Sequence, residues 1–325
     1  MDTFGLIGKS EYIQTLRKSI LRLATGNFPV LIEGPSGTGK EIVAKGLHAY
    51  NPRSVHPMVT INCAAIPKEL EESEFFGHIK GSFTGAYTDK EGYLSQANNS
   101  TLFLDEIGEI SFSMQAKLLR VLDSGEFIPV GKNQPSRCDI RVISATNKSL
   151  SDMVKNNLFR SDLYYRLKGA VLTTQPLTQH KEDIPSLVRY FLSLQGKDIP
   201  KDLDQDALGM LLTYSWPGNV REMRYTMEVI GHASIGMPVV TAAVVASVLG
   251  LNDYKKESSL IFKTYAEEKE ELIRQFELEY FSRLLIHFKG NVSKAAETAG
   301  MYRPNFSKKL KAVGIDPGSF RNGKE

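Results

Sequence analysis

Two short motifs in this chain of 325 residues carry the residue types that bind and hydrolyse nucleoside triphosphates. The first is a glycine-rich loop that ends in lysine and glutamate, Gly34-Pro35-Ser36-Gly37-Thr38-Gly39-Lys40-Glu41. Glycines let backbone N–H groups converge on phosphate oxygens, and Lys40 can reach the β- and γ-phosphates. An apolar strand pattern precedes the loop and an apolar helix pattern follows it, which is the context of a Walker A motif. We therefore predict that this loop binds ATP.

The second motif is a pair of acids, Asp105-Glu106, that follows the apolar stretch 102–104. In a Walker B pair, Asp105 would hold Mg²⁺ and Glu106 would polarise the attacking water as a general base. Two acids could also simply end a strand, but the phosphate loop upstream favours hydrolysis over nucleotide binding alone. Glu41 stands where a metal-binding Ser or Thr is usual, so either Glu41 reaches the metal through water or Asp105 carries more of that role.

Two asparagines at the ends of other apolar strands could complete the site. Asn147 ends the stretch 141–147 and could hold the γ-phosphate or the attacking water. Asn62 ends the strand pattern that begins at residue 59, near enough to hydrogen-bond Glu106 and hold it inactive.

Three arginines are candidates for contacts with the γ-phosphate. Arg160 and Arg166 lie six residues apart, and six residues on a straight helix turn about 240°, so the two side chains do not share a face. At least one of them could point into a neighbouring subunit, where an arginine stabilises charge on the transferring phosphoryl group. A surface ion pair is the alternative for either. Arg221 begins a helix of a second subdomain and could sense the γ-phosphate across a cleft.

The elements that must position these side chains follow from the hydrophobic pattern. In residues 1–171, strands alternate with helices, which predicts an α/β subdomain with a parallel sheet covered on both faces. The helix pattern at 114–122 places Met114 and Leu118 on an apolar face and Gln115 off that face. Residues 172–250 read as a small helical subdomain, in which Asn219 is expected to be an N-cap.

The last part of the chain is predicted to form a separate unit. Residues 251–275 are polar and rich in Lys and Glu, which indicates a linker that runs into the start of a helix. Residues 276–325 contain helix patterns at 276–288, 292–299 and 303–313, with breaks at Gly290-Asn291 and Gly300. Two helices joined by a short turn with glycine are typical of the helix-turn-helix.

The third of these helices has the composition of a DNA-recognition helix. Basic residues outnumber acidic ones in 277–325, and the stretch 303–313 contains no acid. A basic helix without acids matches the charge of a helix that binds in a major groove. The candidates for contact with DNA are Arg303, Asn305, Ser307, Lys308 and Lys309, and their division between bases and phosphates stays open.

The overall composition excludes several other classes of protein. The chain is 42% hydrophobic and 24% charged, with a net charge of +3, which is ordinary for a globular protein. Two cysteines, Cys63 and Cys138, form no disulfide framework and fit a reducing compartment, so a cytoplasmic location is expected. No apolar run approaches the roughly 18 residues of a membrane span, and the N-terminus lacks the pattern of a signal peptide.

One further segment, Gly81-Ser82-Phe83-Thr84-Gly85-Ala86, lies between the phosphate loop and the acidic pair. The two glycines permit tight turns around an aromatic residue and a threonine. On composition alone, a β-turn with an inward-folded Phe83 is the expected structure. The rest of the chain favours a functional role.

Taken together, these motifs resemble the AAA+ ATPases that activate sigma-54 RNA polymerase, the bacterial enhancer-binding proteins. The matching strings are Gly34 to Glu41, Asn62 to Ala65, Glu74 to His78, the 81–86 loop, Thr101 to Ile107, Gln115 to Leu122, Ala145 to Asn147, Phe159 to Leu167 and Trp216 to Glu222. The resemblance covers nearly the whole chain. It implies an AAA+ P-loop fold with a helical lid subdomain, followed by an all-α helix-turn-helix domain of the Fis type.

The resemblance also implies roles and partners. The tip of the 81–86 loop, Phe83 and Thr84, would contact sigma-54, with Ser82 in place of the commoner Ala. Asn62 would be the switch that holds Glu106, Asn147 and Arg221 would be the two sensors, and Arg160 and Arg166 the trans arginines. The implied partners are sigma-54 RNA polymerase holoenzyme, enhancer DNA and further copies of the chain, from a dimer to a hexamer.

The chain departs from the family pattern in three respects. Asn98-Asn99-Ser100 replaces a glycine-rich turn before the acidic pair, and the stretch 176–184 lacks the usual arginines. No sensory domain is expected before the ATPase, as in the subgroup with the phage-shock activator, which a separate inhibitory protein or the expression level controls. The alternative function is a DNA-binding regulator on the same fold that acts without sigma-54, and the 81–86 loop argues against it. A general remodelling ATPase is disfavoured by the helix-turn-helix pattern.

Overall fold

The structure is a computed structural model that describes residues 5–251 and 265–320. The chain divides into two compact units, with the boundary between residues 252 and 253. In the described residues, the strands in chain order are β1 Val30–Glu33, β2 Val59–Asn62, β3 Gly77–His78, β4 Lys90–Glu91, β5 Thr101–Asp105, β6 Glu126–Phe127, β7 Ser136–Arg137, β8 Arg141–Thr146 and β9 Ala170–Thr173.

The α-helices are interspersed with these strands up to the end of β9 and then continue without them. In chain order they are α1 Glu11–Ala24, α2 Lys40–Ala49, α3 Glu71–Phe76, α4 Tyr93–Gln96, α5 Phe112–Ser124, α6 Leu150–Lys155, α7 Ser161–Leu167, α8 Ile184–Ser193, α9 Gln205–Thr213, α10 Asn219–Ala233, α11 Ala242–Val248, α12 Tyr265–His287, α13 Val292–Thr298 and α14 Arg303–Val313. Among the described residues, no helix has both the length and the apolar character that a membrane crossing needs.

A five-stranded parallel sheet with the order β2-β5-β8-β1-β9 forms the centre of the first unit. Successive strand residues point to opposite faces, and both faces are buried. In β5, Leu102 and Leu104 contribute to the core that also contains Met114 and Leu118 of α5. Phe103 points the other way, into the core that α1 and α2 cover. The predicted α/β subdomain with a parallel sheet is therefore confirmed.

The helices α8 to α11 form a helical lid subdomain after the last strand of the sheet. Trp216 is fully buried in it and donates from Nε1 to the carbonyl of Leu211 at 2.8 Å. The expectation that Asn219 is an N-cap is wrong. Gly218 occupies the cap position, and Asn219 is the first helical residue with a left-handed backbone at φ 54°.

The helices α12 to α14 form the second unit around a small core of their own. The core residues are Phe281, Leu285, Ala295, Ala296, Phe306, Leu310 and Val313. The predicted breaks at Gly290-Asn291 and Gly300 separate the three helices as expected. However, α12 begins at Tyr265 and not at residue 276, because a stretch rich in Glu and Lys has good helix propensity as well as high polarity. Residues 252–264 of the predicted linker lie outside the described residues.

Candidate nucleotide site and the 81–86 loop

The glycine-rich loop connects β1 to α2 at the carboxyl end of the sheet. Gly34, Gly37 and Gly39 all have positive φ, at 155°, 76° and 93°. A Cβ on Gly34 would come within 2.1 Å of the Thr174 hydroxyl, and one on Gly37 within 2.2 Å of the Gly218 carbonyl. Glycine is therefore favoured at all three positions by the backbone conformation, and at Gly34 and Gly37 also by the lack of space for a side chain.

Lys40, the first residue of α2, is buried at the base of this loop. Its Nζ donates to the carbonyls of Gly34 and Pro35 at 2.9 and 3.2 Å and lies 3.8 Å from a carboxylate oxygen of Glu106. Burial lowers the pKa of Lys40 below its ordinary value, and the nearby carboxylates of Glu106 and Asp105 partly oppose that shift. The ammonium group is thus held between the loop and the acidic pair.

The acidic pair lies beside this lysine, at the end of β5. Asp105 accepts a hydrogen bond from the backbone N–H of Glu106 at 3.1 Å. Burial, and next the charge of Glu106, raises the pKa of Asp105 above its ordinary value. Glu106 has a left-handed backbone at φ 52°, a costly conformation for a non-glycine residue that is enriched at functional sites.

The carboxylate of Glu106 accepts a hydrogen bond from the backbone N–H of Asn147 at 3.1 Å. The structure therefore brings the end of β8 to the acidic pair through the backbone of Asn147, while its side chain is exposed. Asn62 pairs with Asp105 in the sheet register, and its side chain accepts from the N–H of Ala64 at 3.0 Å. A hydrogen bond between Asn62 and Glu106 stays a prediction.

Two residues of α10 contact the glycine-rich loop. Arg221 donates from its guanidinium to the Ser36 hydroxyl at 2.9 Å, and its backbone N–H donates to the Gly37 carbonyl at 3.2 Å. Asn219 donates to the Ser36 carbonyl at 2.9 Å and accepts from the N–H of Leu177 at 2.9 Å. Asn219 is therefore a link between the loop and the lid that the sequence did not indicate, because both of its partners lie far from it along the chain.

The loop, the acidic pair and the lid enclose one cleft with two chemically different ends. The polar end is formed by Lys40, Glu41, Asp105, Glu106 and Arg221. The other end is largely apolar and also contains one arginine; its residues are Gly5, Ile7, Ile42, Leu187, Tyr190, Phe191, Leu194, Val220, Arg224 and Tyr225. Glu41 is exposed and forms an ion pair with Lys45 at 2.8 Å. A cleft with one cationic and acidic end and one apolar end suits the phosphates and the base of a nucleotide.

The donor set at the polar end also fits a magnesium ion. Among the described residues, no group of three or more His, Cys, Asp or Glu side chains could hold a metal. Mg²⁺ usually binds to one or two carboxylates and completes its octahedron with water and substrate phosphates. Asp105, with Glu106 beside it, offers that partial set.

Arg160 and Arg166 contact other parts of the chain and do not line this cleft. Arg160 precedes α7 as its N-cap, pairs with Asp162 at 2.8 Å and lies over the ring of Phe112 at 5.8 Å from its centroid. The expected angle between the two side chains assumes one straight helix, but Arg160 stands just before the helix and only Arg166 is part of it. Arg166 is in α7 and pairs with Asp123 at 3.1 Å.

Gln115 was expected off the apolar face of its helix, but it is only 1% exposed. It accepts from the backbone N–H of Arg160 at 2.8 Å and donates to the carbonyls of Ile110 and Leu158 at 3.3 and 3.2 Å. Gln115 thereby fixes the backbone at Arg160. Its amide is buried because three backbone groups satisfy it, which a hydrophobic pattern cannot indicate.

The 81–86 loop extends from the short hairpin of β3 and β4. Its ends are closed by a hydrogen bond from the N–H of Gly81 to the carbonyl of Ala86 at 2.8 Å. Phe83 is 38% exposed and packs edge-on against the ring of His78, with 5.0 Å between centroids. Thr84 is exposed. Phe83 therefore lies on the surface beside one aromatic partner, and the inward-folded structure expected from composition alone is not found.

The structure also accounts for the unusual Asn98-Asn99-Ser100 turn. Asn99 has φ 60°, the left-handed conformation that glycine would adopt and that asparagine tolerates. Asn98 accepts from the N–H of Asp139 at 2.9 Å, and Ser100 donates to the carbonyl of Pro57 at 2.7 Å. These bonds fix the turn from both sides.

On α14 of the second unit, four of the five DNA-binding candidates have exposed side chains, and Ser307 is half-buried. Lys309 differs from the others because it forms an ion pair with Glu277. Arg303, Asn305 and Lys308 are therefore the freest of the candidates.

A family model of the sigma-54 interaction domain matches residues 6–173 of this chain. The chain belongs to the sigma-54 activator family. A model of the AAA+ ATPase lid domain matches residues 178–257, so the α/β and helical subdomains are the two parts of an AAA+ ATPase domain.

Characterised relatives of this sigma-54 activator match almost its whole length. The DNA-binding transcriptional regulator NtrC of Rhizobium meliloti is 38% identical over 342 residues, which cover 97% of this chain and 70% of NtrC. The regulatory protein GlrR of Escherichia coli is 38% identical over 320 residues, which cover 98% of this chain and 70% of GlrR. Both names describe regulators of transcription.

Solved structures agree with the fold. A crystal structure of NtrX from Brucella abortus in complex with ADP is 33% identical with a TM-score of 0.70, covering 96% of this chain and 69% of NtrX. A crystal structure of the same protein in complex with ATP is 33% identical with a TM-score of 0.68 and the same coverage.

Proposed function

We propose that this sigma-54 activator hydrolyses ATP and uses that energy to convert a closed complex of sigma-54 RNA polymerase into an open one. The observation that carries the proposal is the exposed Phe83 and Thr84 tip in the same subdomain as the nucleotide cleft. An ATPase with an exposed aromatic tip has both an energy source and a surface for a protein partner.

In the ATPase reaction, the backbone N–H groups of the glycine-rich loop and the ammonium of Lys40 bind the phosphates. Glu106 orients and polarises the attacking water. Asp105 would hold Mg²⁺, which neutralises the charge on the phosphates when it is bound. Arg221, whose guanidinium donates to the Ser36 hydroxyl, would respond to the γ-phosphate.

We assign Arg160 and Arg166 to the neighbouring subunit's cleft in a ring of identical chains, with a dimer to a hexamer as the range of assemblies. Neither arginine lines the cleft of its own chain. An arginine supplied in trans stabilises the charge of the transferring phosphoryl group. The hydrogen bond that the backbone N–H of Arg160 donates to the Gln115 side chain, and the contact of its guanidinium with the ring of Phe112, support Arg160 in an outward position.

A continuous segment connects the cleft to the 81–86 loop. It begins at Asn62, passes through α3 and enters β3 immediately before the loop. Glu71, at the start of α3, accepts hydrogen bonds from the backbone N–H and the hydroxyl of Ser111, which follows the acidic pair. We propose that changes at Glu106 on hydrolysis reach Phe83 along this segment.

The second unit would bind enhancer DNA through α14, with Arg303, Asn305, Ser307, Lys308 and Lys309 as candidates. Two copies of such a unit would bind a site with two-fold symmetry. Binding to DNA near a promoter raises the effective concentration of the ATPase there. The protein would act in the cytoplasm, together with RNA polymerase.

The test is open-complex formation in vitro with purified sigma-54 holoenzyme and a sigma-54 promoter. Opening that requires hydrolysable ATP and fails with a non-hydrolysable analogue would support the proposal. ATP hydrolysis without opening would contradict it and favour a regulator that acts without sigma-54.

A further inference from the structure

A buried carboxylate on the lid joins two distant parts of the first unit. Asp183 is fully buried and accepts from the backbone N–H groups of Lys9 and Ser10 at 2.5 and 2.8 Å. It also accepts from the Ser10 hydroxyl at 2.5 Å and is 3.0 Å from the Nδ1 atom of His180. Three of its four partners belong to a segment more than 170 residues away in the chain.

The segment that Asp183 holds has a fixed conformation. Ser10 is the N-cap of α1 and accepts from the N–H of Ile13 at 3.1 Å. Arg17 of α1 donates to the carbonyls of Leu6 and Gly8 at 2.5 and 3.1 Å. A Cβ on Gly8 would lie 2.6 Å from the Asp183 carboxyl group. The segment 5–10 is therefore clamped between α1 and the lid.

The hydrogen bonds of Asp183 with Lys9 and Ser10, which we call the clamp, lie at the apolar end of the nucleotide cleft. Gly5 and Ile7 form one wall there, and Leu187 and Tyr190 of α8 contribute to a second wall. Because α8 begins at residue 184, directly after Asp183, the two walls meet at this carboxylate.

A second contact between the same two parts lies close by. The ring of Tyr12 packs on His180 with 4.8 Å between centroids. The Tyr12 hydroxyl accepts from the backbone N–H of Gln175 at 3.0 Å. The start of α1 is therefore joined to the chain leading into the lid at more than one point.

We infer that Asp183 is a positioning residue for nucleotide recognition, because it sets the separation of the two walls that would enclose the base. The inference rests on the proposed binding of ATP in this cleft. Asp183 does not line the cleft and would act only through the segment 5–10 and α8.

The charge of Asp183 is part of the clamp. Burial alone would raise its pKa, but the hydrogen bonds from Ser10, Lys9 and His180 hold the pKa below the ordinary value. The carboxylate is therefore ionised at neutral pH. The two backbone N–H groups share the Oδ1 atom, so an amide could keep its oxygen there. Its NH2 group would then replace Oδ2, and the acceptor of the Ser10 hydroxyl and the partner of His180 Nδ1 would be lost together with the charge.

The experiment compares a nucleotide with a ligand that lacks the base. In the full chain carrying Asp183→Asn, we expect the KM for ATP to rise about tenfold, the effect of losing roughly one charged hydrogen bond. The inhibition constant of inorganic tripolyphosphate against ATP hydrolysis should change by less than about twofold, because the phosphate end is untouched. The value of kcat at saturating ATP should stay close to that of the unchanged protein.

Glu71→Gln is the matched control. Glu71 is also a buried carboxylate that accepts from the N–H and hydroxyl of an N-cap serine, Ser111, but it lies away from the base end of the cleft. Glu71→Gln should lower the thermal midpoint of unfolding about as much as Asp183→Asn does. It should leave the ratio of the KM for ATP to the inhibition constant of tripolyphosphate unchanged. Ser10→Ala removes the hydroxyl bond to Asp183 and the N-cap bond from Ile13 but keeps both backbone N–H bonds to the carboxylate. It should shift the ratio in the same direction as Asp183→Asn, by a smaller amount.

An unchanged ratio in both Asp183→Asn and Ser10→Ala, with wild-type hydrolysis intact, would overturn the inference and leave the proposed function standing. A similar ratio shift in Glu71→Gln would also overturn it, because the effect would then be general destabilisation. Failure of the unchanged protein to bind or hydrolyse ATP would instead contradict the proposed function.

Discussion

The nucleotide cleft and the 81–86 loop belong to one subdomain but are held in very different ways. At the cleft, Lys40 is buried and bonded to two carbonyls, and Glu106 is fixed by Lys40 and by the backbone of Asn147. At the loop tip, the Phe83 side chain has one described aromatic contact, and Thr84 is exposed. The contrast suggests that the chemistry depends on a rigid arrangement, whereas the loop is free to change partners.

This comparison predicts that changes at the cleft abolish ATP hydrolysis and therefore also open-complex formation. Changes at the tip should abolish open-complex formation alone. Each of the following variants tests one side of it.

The largest effect is expected for Glu106→Gln. Loss of the general base should reduce ATP hydrolysis about a thousandfold while ATP binding persists, because the phosphate loop is unchanged. Steady-state hydrolysis and equilibrium binding of a fluorescent ATP analogue measure the two effects. Glu109→Gln is the control, since Glu109 lies three residues further on and pairs with Lys148 outside the cleft. Hydrolysis near the normal rate in Glu106→Gln would exclude the assigned role.

Arg160→Ala should reduce hydrolysis at least about a hundredfold, because charge on the transferring phosphoryl group loses its partner. Mixing Arg160→Ala and Glu106→Gln chains should restore part of the activity. At some interfaces, an intact Glu106 would meet an intact Arg160 from the next subunit. The control is Arg137→Ala, which removes an exposed arginine that pairs with Glu126. If mixing restores nothing, Arg160 does not act in trans.

Phe83→Ala and Thr84→Ala should lower open-complex formation about a hundredfold, as for a central contact residue in an interface. ATP hydrolysis should stay within about twofold, since neither side chain contacts the cleft. Tyr87→Ala is the control, because Tyr87 is 83% exposed and lies just outside the loop. Full activation by both loop variants would refute the role of the tip and remove the contrast between the two regions.

The smallest effect is expected for His78→Ala, which removes the ring beside Phe83. Aromatic pairs contribute about 1 kcal/mol, so open-complex formation should fall about fivefold while hydrolysis is unchanged. Ser73→Ala is the control, because it removes only the hydrogen bond between the Ser73 hydroxyl and His78 Nδ1 at 2.7 Å. An effect of Ser73→Ala as large as that of His78→Ala would assign the loss to the orientation of His78.

The features that the sequence predicted correctly are local ones. The glycine-rich loop, the apolar strands and the breaks at Gly290 and Gly300 depend on neighbouring residues, whose spacing and conformational preferences are visible in the chain. The alternation of strands and helices then leads to the parallel sheet.

The features that the sequence did not reveal depend on distant contacts. Gln115 is buried because the backbone at Arg160 satisfies it, and Asp183 is buried because the segment around Ser10 does so. Asparagine is a residue type that favours the N-cap position, but the side chain of Asn219 instead donates to the carbonyl of Ser36 and accepts from the N–H of Leu177. A polar residue buried by a partner far along the chain has no periodic signal.

Cys63 gives the segment between the cleft and the 81–86 loop a natural chemical probe. The residue directly follows Asn62, is 2% exposed, and burial raises the pKa of its thiol. Only an exposed thiolate reacts readily with an alkylating reagent, so modification requires the segment to open. The rate of alkylation at Cys63 would therefore report how often this segment leaves the position in which Cys63 is buried. Comparing the rate measured with ADP and the rate measured with an ATP analogue would show at which stage of the reaction cycle the segment opens.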